Sequence, residues 1–87
     1  MWKKVYLYQM RKLKLIWDFK GPTASKIAEH HLIHLKEYIN INNVEVLATG
    51  NEVINELHSI DFIVVNESDM KPIRDILKPH RGQVYQL

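Results

Sequence analysis

Hydrophobic and polar positions alternate most clearly over residues 13–19, where Leu13, Leu15, Trp17 and Phe19 take one phase and Lys14, Ile16 and Asp18 the other. A period of two predicts a strand. Gly21-Pro22-Thr23 interrupts it, and Thr23 is placed to cap a following helix, with Lys26 rather than Glu at the capping-box position. The period then becomes helical to about residue 39. At about 100° per residue, Ala24, Ile27, Ala28, His31, Leu35, Tyr38 and Ile39 share one face, while Lys26, Glu29, Ile33 and Lys36 fall elsewhere. Asn40 to Asn43 supply turn chemistry. Residues 44–49 and 58–65, rich in β-branched side chains, predict two strands, with Gly50 as a bulge and Asn55-Glu56 near the hairpin tip. Ser68 or Asp69 opens a short helix through Leu77, Pro72 being tolerated in its first turn and Pro79 stopping it. Gly82 ends the turn, and residues 83–87 predict a fourth strand.

The order strand, helix, strand, strand, helix, strand predicts an α+β, ferredoxin-like βαββαβ domain: a four-stranded antiparallel sheet with two helices on one face. On the other face a second apolar set, Ile16, Leu47, Ile63 and Val65, would lie bare. An exposed apolar patch marks an interface, so a homodimer through the sheet is expected. Trp17, Phe19 and Phe62 alternate in phase with leucines, Ile60 and Val64, which predicts burial toward the helices rather than a base-stacking RNA surface. With 87 residues, one domain over 10–87 is the expected count. Residues 1–9 are an extension or an extra strand.

Composition narrows the function classes. Cysteine is absent, which excludes disulfides and fits a reducing, cytoplasmic setting. The basic start has an apolar run cut short by Arg11 and Lys12, too short for an export signal, and no run approaches the roughly 20 apolar residues of a membrane span. A formal charge of +2 argues weakly for nucleic acid, so neither nucleic acid nor membrane is an expected partner.

The blocks HHLIHLKEY, VLATG and HSIDFIVVNESDMKPIRDIL resemble, over about residues 28–77, the corresponding blocks of the YciI-related branch of the dimeric α+β barrel superfamily. The resemblance implies a histidine on the first helix, followed at once by leucine, facing a pocket between sheet and helix as a suspected catalytic or ligand group. His31-Leu32 stands in the similar place. For that histidine's aspartate partner there are two candidates, Asp61 and Asp18. The WDFKGP block departs from the usual first strand of that branch.

Three constellations follow. His31, mid-way along the apolar helix face, is a general-base candidate with Asp61 or Tyr38 beside it, and a core histidine satisfied by one hydrogen bond is the competing reading. Lys20 and Thr23 after the first strand, with His80 and Arg81 before the last, gather cations and a helix N-terminus that suit a small anion, unless Asp18 simply neutralises Arg81. His30 and His34, four apart, with Glu37 one turn on, are candidate ligands for a divalent metal, against a solvated polar flank. The function expected is small-molecule binding or transformation at His31. The alternatives are a metal-binding or sensory module and a structural dimerisation domain.

Overall fold

A computed structural model describes residues 11–85. The elements are β1 (Lys12–Lys20), α1 (Ala24–Ile41), β2 (Ala48–Asn55), β3 (His58–Asn66), α2 (Met70–Leu77) and β4 (Arg81–Tyr85), with a single 3-10 turn, Glu67–Asp69, before α2. The expected extra strand or extension at 1–9 lies outside the described residues. No helix among those described is long and apolar enough to cross a membrane.

The strands form one sheet in the order β2-β3-β1-β4 with every neighbouring pair antiparallel. β3 therefore sits between β1 and β2, and β1 sits between β3 and β4. This four-stranded antiparallel α+β architecture is compatible with the ferredoxin-like plan.

Several expected features move, among them the last strand, which begins at Arg81 and contains Gly82 instead of following it. The segment 44–47 is not a strand: Val44 N–H bonds to the Ile39 carbonyl at 3.0 Å and Asn43 N–H to that of Asn40 at 3.4 Å, closing α1 with Asn43 at φ 52°. This is a Schellman end with asparagine in the left-handed position, and its apolar clasp of Val44 and Ile39 packs against the core. The terminating residue is thus followed by a packed loop, and β2 starts only at Ala48. Gly50 is no bulge either. It pairs regularly with Phe62, and the irregularity falls at Val53/Asn55. A Cβ on Gly50 would stand 2.8 Å from the Phe62 ring, so glycine there makes room for that ring. Thr23, expected as a side-chain cap, makes no such bond.

The core lies on the helix side of the sheet: Leu15, Trp17, Ile63 and Val65 meet Leu35 of α1 and Ile73 of α2. Trp17 spans the layers, its indole N–H donating to the Leu77 carbonyl at the end of α2 at 3.1 Å. The phase expected for β3 is off by one. Leu15 faces Ile63 and Trp17 faces Asp61, so Ile63 and Val65 point toward the helices, whereas Phe62 pairs with Ile16 on the opposite face beside Ile60 and Val64. Both phases of β3 are apolar, and where alternation is ambiguous a one-residue slip exchanges the faces. The bare patch of Ile16, Leu47, Ile63 and Val65 therefore does not form. Of the four only Leu47 is exposed, and on the far face Ile16, Ile60 and Val64 are 2%, 4% and 1% accessible.

Candidate functional site

The phase of β3 puts Asp61 on the helix side of the sheet, paired with Trp17. A carboxylate is costly to bury without partners, and Asp61, with no side-chain exposure, has two. Asn51, its cross-strand neighbour on β2, donates Nδ2–H to Oδ1 at 2.9 Å, and Oδ2 lies 2.7 Å from Nδ1 of His31 on α1. The α1 helix supplies this histidine from the sheet-facing stripe that buries Ala24, Ala28 and Leu35.

The imidazole is held from other directions too. Trp17 and Phe19 of β1 place their ring centroids 5.2 and 5.1 Å from that of His31. With the carboxylate at Nδ1, that nitrogen carries the proton, and in the neutral ring the lone pair is left on Nε2. Nε2 has no hydrogen-bond partner among the described residues, and the side chain keeps 30% of its surface exposed. Together with Phe19, Lys26, Ile27, His30 and His34, His31 lines an open hollow of about 570 Å³ whose walls are mostly apolar. Chemically this is an oriented acceptor beside a space that a small molecule can enter.

The other expected site residues are distributed differently. Tyr38 does not join His31. It lies two turns further along α1 and lines a separate hollow with Asn42, Val44 and Ile73. His80 and Arg81 do meet the end of β1, but both are engaged. Asp18 N–H donates to His80 Nδ1 at 2.8 Å, and Arg81 donates from Nε and Nη2 to the Asp18 carboxylate at 2.8 and 3.1 Å. His58 Nε2 stands 2.8 Å from the same carboxylate. The hydrogen bond from Arg81 holds the Asp18 carboxyl well below the usual carboxylate range, aided by His58 and opposed by partial burial, and Asp18 in turn raises Arg81. This is the neutralised arrangement rather than an open anion site, and neither Lys20 nor Thr23 bonds into it.

His30 and His34 do approach each other, Nε2 to Nε2 at 3.1 Å. Glu37 does not converge with them as a third ligand, because it sits on Nδ1, the other side of the His34 ring, at 3.0 Å. Among the described residues no group of three or more His, Cys, Asp or Glu is placed to hold a metal ion.

Two participants were not anticipated from the sequence. Asn51 follows the Gly50 expected as a bulge, and with the irregularity instead at Val53/Asn55 the hairpin register that sets it opposite Asp61 differs from the expected one. His58 reaches Asp18 only because Lys20 and His58 are register partners, a pairing that the β3 phase error concealed. No family model, no curated protein and no solved structure matches this chain.

Proposed function

We propose that the chain binds, and acts on, a small molecule in the hollow beside His31, with Nε2 of His31 accepting a proton or hydrogen bond from it and Asp61 fixing the ring. The observation that carries this reading is the 2.7 Å contact between His31 Nδ1 and the fully buried Asp61. Asp61, itself braced by Asn51, fixes the ring and its tautomer, and the 30% of the side chain left exposed lies beside the hollow. The resemblance to the YciI-related branch supports the same position, since it implies a helix histidine followed by leucine facing such a pocket.

A thermal-shift screen of small acids, phosphates and nucleotides on metal-free protein identifies the ligand. The expected result is a compound that raises the melting temperature of the wild type and leaves His31→Gln, which keeps an N–H for Asp61, unmoved. Equal shifts in both proteins would remove His31 as the site. Long-range ¹H–¹⁵N spectra at a pH where the ring is neutral should show the proton on Nδ1 in the wild type. A ring protonated on Nε2 would defeat the assignment.

The ferredoxin-like plan and a homodimer belong to the same reading. With the far sheet face already covered at its apolar centre, the contact we assign to a second copy is the β2 edge. There Val53, Ile54 and Leu57 are exposed and, among the described residues, the strand pairs on one side only.

A further inference from the structure

We infer that His30 and His34 form a two-nitrogen chelate for a divalent transition metal, open to water on its remaining positions, with Glu37 orienting the His34 ring. The distance between the two Nε2 atoms is 3.1 Å. Two imidazoles bound at about 2.0–2.1 Å to one ion stand about 2.9 Å apart when they subtend a right angle and about 3.3 Å when they subtend the tetrahedral angle. The pair is therefore already at chelating separation, with ring centroids 4.7 Å apart.

The His34 tautomer agrees with that geometry, whereas His30 Nε2–H donates across the 3.1 Å to His34 Nε2, and an entering ion displaces that proton to the Nδ1 of His30. Glu37 Oε1 lies 3.0 Å from His34 Nδ1, which places the proton on Nδ1 and the lone pair on Nε2, the usual outer partner of a metal-bound histidine. His34 is well exposed, so an ion arrives from solvent without unfolding the helix. Lys26 lines the same hollow and opposes a cation, while the Glu37 carboxylate, on the Nδ1 side of the His34 ring, favours one. With two protein nitrogens and no third ligand among the described residues, water completes the coordination, which suits nickel, copper(II) or zinc at an exchangeable site and not a buried structural one.

Tag-free full-length protein is titrated with zinc, nickel and copper(II) chlorides in a non-coordinating buffer near neutral pH, using calorimetry and the ¹⁵N shifts of the ring nitrogens. We expect one equivalent to bind, with the shifts concentrated at Nε2 of His30 and His34. His30→Ala and His34→Ala should each weaken binding by about tenfold or more, and Glu37→Gln by about tenfold. Glu29→Gln, on the polar side of the helix, should match the wild type. Circular dichroism confirms that each variant folds. No saturable binding up to about 100 μM metal, or binding indifferent to His30→Ala and His34→Ala, overturns the inference. It uses none of the His31, Asp61 and Asn51 contacts, so it stands or falls separately from the ligand screen on metal-free protein.

Discussion

Asp61 is tolerated in the middle of a sheet because each of its oxygens is bonded, one by Asn51 and one by His31. Removing a partner from a buried acceptor costs more than the bond is worth on balance, since the acceptor stays desolvated. Asn51→Ala should therefore lower stability by about 1–3 kcal/mol. Asn66→Ala, which loses only an exposed 3.3 Å contact to Glu45, should stay within about 0.5 kcal/mol of the wild type. Urea denaturation of the two variants measures the difference, and coincident midpoints would show that Asp61 is not dependent on Asn51. The second expected effect is on His31, which loses its fixed anchor when the carboxylate relaxes. Any ligand found for the hollow should bind Asn51→Ala more weakly than the wild type.

Among the elements, β1 is the one that organises the rest, and Asp18 is where three strands are tied. Its carboxylate faces His58 of β3 and Arg81 of β4, and its N–H reaches His80 just before β4. Because Arg81 and His58 favour the ionised form of Asp18 and lower its folded-state pKa, the tie contributes stability above the unfolded carboxylate value of about 3.9 and loses it as pH falls through the lower folded value. Asp18→Asn should be less stable than the wild type near neutrality, with the gap closing between about pH 5 and pH 2. A gap independent of pH, read from urea midpoints, would refute the linkage. The elements themselves were largely legible: the alternation around Trp17, the helical stripe from Ala24 and the break at Pro79 all appear at their expected places. The phase of β3 was not, because Ile60, Phe62 and Val64 compete with Ile63 and Val65, and the phase that forms is the one that buries Asp61, where a carboxylate is expected to face water. At the site, His31 could be read from its place on the apolar stripe, whereas Asn51 depends on a hairpin register that no local pattern near Gly50 fixes.

At the scale of the whole molecule the question is where a second copy would sit. Stacking through the far sheet face would bury Ile16, Ile60 and Val64 no further, since they are already inaccessible. It would also have to desolvate Glu52 and Arg81, the half-exposed partners of Lys14 and Asp18. The β2 edge presents the opposite balance. Among the described residues its outer backbone groups have no strand partner, and Val53 at 61% exposure leads a group with Ile54 and Leu57 that loses water on contact. An antiparallel edge pairing is self-complementary and closes as a two-fold dimer. Sedimentation equilibrium at tens of micromolar should therefore give twice the 10.3 kDa of one chain. Val53→Lys with Leu57→Lys should return it to the mass of a single chain, because paired edges would bring like charges together while the folded core, which neither side chain enters, is left intact. A wild-type mass of one chain would dismiss the dimer. A dimer that survives the lysines but dissociates on Glu52→Lys would return the contact to the sheet face.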